Sequence, residues 1–279
     1  MPRTIQFKRP RGRPAAAGVA AQAGSVQSLD RALALMELIA AEDGISLTDL
    51  SQRAGLAPST THRILGTLEA HEYVSHDSDR GLWLIGVRAF EVGSAFLRNR
   101  KLFTIGRAIM RGLAEATGES VNVAVEDDGG IVYISQIESH HPIRAFQRPG
   151  SRGSLHASGI GKALLAARSD EEVRALLQRT GLERFTPKTL DEPARLFADL
   201  AVIRRRGWAI DDEERQSGMR CVAAPIYNEY AEAIAGISVT GPTVRMTDER
   251  LGEFGPLVKR AAAEMTRSNG GRDPAAPSR

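Results

Sequence analysis

From residue 25 onward, apolar residues recur first at helical spacings and then in short runs bounded by turn residues, and the order of these patterns predicts the elements. Leu29, Ala32, Leu33, Met36, Ile39 and Ala40 line one side of a helix that starts near Ser28, a good cap, and ends by Gly44. Ser46 opens a second helix with Leu47, Leu50 and Ala54 on one face. Gly55-Leu56-Ala57 forms a tight turn, and Pro58 suits the first turn of a third helix that buries Thr61, Ile64, Leu65 and Leu68. Residues 73–75 and 82–85 are strand-like pieces around the polar loop 76–81. Three short helices followed by a two-stranded wing predict a winged helix-turn-helix.

Residues 87–100 form a further helix carrying Phe90, Phe96 and Leu97. It is apolar on more than one side, as expected of a helix that packs against a second chain as well as its own. Beyond it the pattern turns mixed. A helix is predicted over 103–117, strands over 121–125, 131–137 and 143–146, and helices from about Ser158 and over 170–178 and 192–206. Strands recur over 208–210, 220–226 and 234–240, and a last helix carries Leu257, Val258, Ala261 and Met265. The expectation is an α+β chain: an N-terminal winged helix-turn-helix, a linker helix, and a C-terminal antiparallel sheet flanked by helices. The domains are placed at 1–24 (disordered basic tail), 25–86 (winged helix-turn-helix), 87–101 (linker helix), 102–270 (second domain) and 271–279 (disordered tail, its Gly- and Pro-rich character starting at Ser268).

Composition narrows the class. With 42% hydrophobic and 25% charged residues the 279-residue chain is ordinary for a globular protein. No apolar run is long enough to span a membrane, and no secretory leader is visible, so a cytoplasmic protein without membrane contact is expected. Its single cysteine, Cys221, excludes an internal disulfide, and no His or Cys spacing suggests a metal; no cofactor is expected. The net charge of +3 conceals an asymmetry, because Arg3, Lys8, Arg9, Arg11 and Arg13 crowd an acid-free start and leave the remainder slightly acidic. Binding to a polyanion must therefore be local.

In a helix-turn-helix the second helix of the pair enters the major groove, and its first residues meet base edges. Burial of Ile64, Leu65 and Leu68 turns Ser59, Thr60, Arg63 and Thr67 outward, with His62 on the flank. Arg63 can bridge guanine O6 and N7. Short hydroxyls at Ser59 and Thr60 suit close approach to phosphates or bases, and Arg80 at the wing tip suits the minor groove or backbone. In the tail, Arg11-Gly12-Arg13-Pro14 resembles an AT-hook. A generic basic tail acting by counterion release fits the same residues equally well.

Chemistry for a small anion is concentrated in the second domain. In Leu155-His156-Ala157-Ser158-Gly159-Ile160-Gly161-Lys162, Ser158 is a plausible cap, and the amides of Gly159 and Ile160 would point from a helix N-terminus at a carboxylate. Ser238 and Thr240 share one strand face, lining either a pocket or a solvent face. The series Gly207, Asp212, Glu214, Gly218, Cys221 and Ala223-Ala224-Pro225, together with Ser59 to Arg63 and Leu155 to Gly159, resembles the IclR family of bacterial regulators from about Ser25 to Gly271. It is most similar to the glyoxylate-responsive branch, of isocitrate-lyase-regulator and allantoin-regulator type. The resemblance implies a GAF/PAS-like effector domain, operator DNA as partner, and dimers that pair into tetramers. It also implies an effector set of Gly159, Ile160, Asp211, Cys221, Ser238 and Thr240, with Met219 in an apolar wall. The sequence departs from that pattern at Ile160, Thr240, Pro142, Ala145 and Gly153, which leaves the identity of the acid open. The function expected is a DNA-binding transcriptional regulator of a metabolic operon under control of glyoxylate or a related 2-oxo acid. The alternative is an enzyme acting on a small carboxylate through Cys221 with His156, or Asp211 with Glu214.

Overall fold

The computed structural model describes residues 26–98 and 102–274, so Arg11 and Arg13 of the basic tail lie outside the described residues. The chain divides into two compact units, one up to residue 99 and one from residue 100 onward.

The first unit runs α1 (Gln27–Ala40), β1 (Ile45–Ser46), α2 (Leu47–Ala54), α3 (Pro58–Ala70), β2 (Val74–Asp77), β3 (Leu82–Ile85) and α4 (Val87–Arg98). Helix α1 begins at Gln27 after an uncapped Val26, so Ser28 sits inside the first turn and is not the cap. Its buried stripe also differs from the expected one. Leu35 and Ile39 are fully covered, whereas Leu29 and Leu33 are half exposed, because the core of Ile45, Leu50, Leu65, Val74 and Trp83 reaches only the later turns of α1.

The Ser46 hydroxyl caps α2 by accepting from the Asp49 amide at 3.1 Å. Gly55, in the left-handed region at φ 64°, ends α2 and turns the chain into α3. Contrary to the two-stranded expectation, the wing sheet has three strands in the order β1-β3-β2. Ile45 and Ser46 pair with Trp83 and Leu82, so one serine serves both a strand and a helix cap. At Gly86 a Cβ would overlap the carbonyl oxygen of Glu72. The amides of Gly86 and Arg88 donate to the carbonyls of Tyr73 and Glu72, tying the start of α4 to the base of the wing.

The second unit runs α5 (Leu102–Thr117), β4 (Ser120–Asp127), β5 (Gly130–Ile137), β6 (Arg152–Ser154), α6 (Gly159–Ala166), α7 (Asp170–Thr180), α8 (Pro193–Arg206), β7 (Ala209–Asp212), β8 (Met219–Tyr227), β9 (Ala233–Pro242) and α9 (Asp248–Ser268). The strands form one antiparallel sheet in the order β6-β5-β4-β9-β8-β7. Ile160, Ala163 and Leu164 of α6 join Cys221 and Ala223 of β8 and Leu196 and Leu200 of α8 in one buried cluster. The alternate residues Val121, Val222 and Val239 are fully buried on the opposite face. Helices α5 and α9 pack closely, with Gly106 making room for Met265.

One predicted strand is absent. Residues 143–146 are not extended in the sheet; β6 takes that edge of β5 instead. The Ala145 carbonyl is met by side chains, the Ser120 hydroxyl at 2.8 Å and the Gln136 amide at 3.4 Å, so this segment lies over the sheet without joining the ladder. The chain also keeps its contacts past Ser268: the amides of Gly271 and Arg272 donate to the carbonyls of Thr266 and Asn228. Among the described residues no helix is long and apolar enough to cross a membrane.

Candidate functional site

Strand register assembles the pocket. Asp211 on β7 stands opposite Cys221 on β8, which stands opposite Thr240 on β9; one step along, Ala223 faces Ser238, which faces Asn122 on β4. Alternation puts all of them on one face. Helix α6 brings its N-terminus down on this row. A Cβ at Gly159 would lie 2.7 Å from the Cys221 sulfur and 3.2 Å from Ala223, so only glycine admits the helix this close. The Ser158 hydroxyl accepts from the Gly161 amide at 3.1 Å, which leaves the amides of Gly159 and Ile160 as orphan donors at the helix start.

A cavity of about 290 Å³ opens there. All seven residues expected to meet an effector line it: Gly159, Ile160, Asp211, Met219, Cys221, Ser238 and Thr240. The sequence reading missed Tyr133, Arg144, Phe146, Gln147, Arg215 and Gln216, which complete the wall and rim. Of the departures noted in the wall, Ala145 lines this cavity, Gly153 lines a neighbouring one of about 270 Å³, and Pro142 lines neither.

Burial raises two carboxyls at and behind the cavity, and a buried lysine stands beside them. Asp211 is buried, and its Oδ1 accepts from the Glu214 amide at 2.8 Å. Burial pushes its carboxyl up to about 6 despite the amides of Glu214 and Arg215 and the nearby Lys162 charge. Lys162, only 1% exposed, has its ammonium 2.7 Å from Asp199 and 2.5 Å from Glu214. Burial alone would lower Lys162, but these two carboxylates more than offset it and hold it above the ordinary lysine value. Glu214 is pushed up to about 7 by burial, and its second oxygen has no partner. A lysine inside the apolar run from Gly159 to Ala166 was the sequence signal for this network.

Polar side chains also tie the floor to the covering segment. The Asn122 amide donates to the Thr240 hydroxyl at 3.3 Å, and the Gln136 amide donates to Asn122 at 2.8 Å and to the Ala145 carbonyl. The Gln147 backbone amide donates in turn to Gln136.

The same geometry argues against the catalytic pairs of the enzyme alternative. Burial, then the Asp211 charge, pushes the Cys221 thiol up to about 12, so it stays protonated and a poor nucleophile. The ring nitrogens of His156 are engaged by the Ser154 hydroxyl and the Glu183 carbonyl, both at 2.9 Å, and the ring lines the neighbouring cavity. Glu214 is bound to Lys162 and does not line the Asp211 cavity.

In the first unit α3 buries Thr61 and Leu65 and leaves Ser59, His62, Arg63 and Thr67 exposed, with Thr60 half-buried. The Thr67 hydroxyl donates back to the Arg63 carbonyl at 3.2 Å, which leaves its lone pairs as the outward-facing feature. Arg80 sits exposed in the wing turn that Asp77 stabilises by accepting from the amides of Asp79 and Arg80.

A winged helix with a polar recognition face, joined in one chain to a sheet domain that encloses an anion-donor pocket, defines a ligand-responsive DNA-binding transcriptional regulator. The family model described as bacterial transcriptional regulator IclR C-terminal matches residues 94–267, and that of the IclR helix-turn-helix domain matches residues 28–78. The chain belongs to the IclR family. It is 48% identical over 258 residues to the HTH-type transcriptional regulator BhcR of Paracoccus denitrificans, covering 92% of each chain. It is 46% identical over 264 residues to the transcriptional repressor IclR of Escherichia coli K12, covering 94% of this chain and 96% of that one. Among solved structures, the Thermotoga maritima IclR superposes with a TM-score of 0.76 at 27% identity, over 88% of this chain and 99% of that one. Regulators of this family bind operator DNA and oligomerise, and the relatives are transcriptional regulators, not enzymes.

Proposed function

We propose that the chain regulates a metabolic operon in the cytoplasm by letting a small 2-oxo acid of glyoxylate type set its affinity for operator DNA. The supporting observation is convergence: two orphan helix amides, two strand hydroxyls and a buried carboxyl from three separate elements line a single cavity. The Gly159 and Ile160 amides with Ser238 and Thr240 donate to the effector carboxylate. Asp211 accepts from a hydrated aldehyde or a 2-hydroxyl, and Met219 and Cys221 form the apolar wall. On the DNA side Arg63 reads a base edge, Ser59, Thr60, His62 and Thr67 meet neighbouring phosphates or bases, and Arg80 lies along the backbone. The exposed Val87, Phe90 and Val92 of α4 are apolar area suited to cover by a second copy, in a dimer or tetramer.

The experiment is calorimetric titration of wild type and Ser238→Ala with glyoxylate, pyruvate and glycolate, free and bound to a fragment of the chain's own promoter region. Wild type should bind at least one acid and change its promoter affinity on doing so. Ser238→Ala should lose the response and keep apo binding to DNA. A protein that ignores its promoter with every acid, or a Ser238→Ala that loses DNA binding first, overturns the reading.

A further inference from the structure

The rim of the effector pocket carries cationic charge that its floor of amides and hydroxyls does not need. Arg144 and Arg215 both line the cavity. Arg144 is already matched, its Nε lying 2.8 Å from a Glu138 carboxylate oxygen. Arg215 pairs with no carboxylate among the described residues; its guanidinium lies over the Phe185 ring, 4.1 Å from the centroid. Phe185 is in turn stacked on His156 at 5.9 Å, and His156 is fixed by Ser154 and Glu183. The cation therefore rests on an anchored aromatic stack. A guanidinium held by its face keeps its N–H donors in the plane, free to meet a carboxylate with two parallel hydrogen bonds.

Arg215 also follows directly on Glu214, whose backbone amide donates to the pocket acid Asp211 at 2.8 Å. The volume agrees with a larger guest. At roughly 30 Å³ per water, the 290 Å³ of the cavity leaves most of its space to solvent around a two-carbon acid. The small Ala145 in the wall adds to that room.

We infer that, within the small-acid class, this pocket favours a 2-oxo or 2-hydroxy dicarboxylate, with one carboxylate on the Gly159 and Ile160 amides and the second on the guanidinium of Arg215. The inference rests on the cavity being the effector site. Arg215 is then the residue that sets specificity between monoacids and diacids, while Ser238 and Thr240 serve both.

Two matched pairs test it by calorimetry on the full chain: L-lactate against L-malate, and pyruvate against oxaloacetate, the members of each pair differing by one carboxylate. In wild type the diacid of at least one pair should bind roughly tenfold more tightly, the scale of one charge-assisted hydrogen-bonded contact. Arg215→Gln should erase that advantage, weakening the diacid by about the same tenfold factor and the monoacid far less. Equal affinities within both pairs in wild type, or an Arg215→Gln that weakens monoacid and diacid by the same factor, overturns the inference. If monoacids bind, are lost in Ser238→Ala and yet equal the diacids, the effector pocket stands and the dicarboxylate assignment alone falls. If no acid of either kind binds, both fall.

Discussion

Asp211 links the pocket to pH. Its carboxyl is held at about 6 by burial, above the ordinary aspartate value, so its contribution to folding is fully present below that ordinary value and is lost as pH rises through about 6. An effector anion beside it disfavours ionisation further, so binding takes up protons. Effector affinity should weaken as pH rises from about 5.5 to 8, and Asp211→Asn should flatten the dependence. Titrations in buffers of different ionisation enthalpy read the proton uptake directly; a wild-type profile without slope contradicts the assignment.

Behind Asp211, Lys162 neutralises Asp199 and Glu214. Lys162→Met leaves two carboxylates uncompensated and should cost about 3–5 kcal/mol of stability in chemical denaturation, part of which Glu214→Gln should restore. In the first unit, Arg63→Ala should cost about 1–3 kcal/mol at one base pair and relax preference there. Unchanged specificity across a set of single-base operator variants would remove Arg63 from base readout.

At the scale of elements, the pocket depends on how closely α6 approaches β8. Gly159→Ala sets a methyl against the Cys221 sulfur and should push the helix start off the row. The fold should survive, by circular dichroism, while effector affinity falls at least about tenfold, since the amides lose their aim. Much at this scale was legible from the residues. The period of two along 234–240 put Ser238 and Thr240 together, and Ser158 ahead of two glycines marked a helix start. What the sequence did not show depends on partners distant in the chain. Residues 143–146 have a strand-like composition, but side chains from β4 and β5 satisfy the Ala145 carbonyl, so no ladder forms. Leu29 and Leu33 fit a helical stripe as well as Leu35 and Ile39 do, and only the extent of the small core decides which pair is covered. Arg215 gave no local signal because its role comes from Phe185 and His156, each brought to it by a different loop.

At the scale of the whole chain, charge is divided between a basic start and a near-neutral remainder. Deleting residues 1–14 removes five basic side chains and should reduce the slope of log affinity against log salt by up to roughly four to five, at about 0.9 per phosphate contact. Affinities for operators with A/T-rich and G/C-rich flanks separate the two readings of Arg11 and Arg13: a loss confined to A/T-rich flanks indicates minor-groove insertion, and an equal loss indicates counterion release alone. On the proposed reading α3 and the wing carry the sequence preference, so the truncated chain should rank single-base operator variants as the full chain does.

Gly86 has a mechanical consequence. With no side chain there, the base of the wing and the first turn of α4 are locked together through Tyr73 and Glu72. A twist applied along that helix would be passed to the wing of the reading head through these two backbone hydrogen bonds. In an assembly of two copies, the span between heads would then be governed by the angle at which two stiff shafts meet, and a bulkier residue at this joint would act as a broken clutch: grip on DNA retained, steering lost.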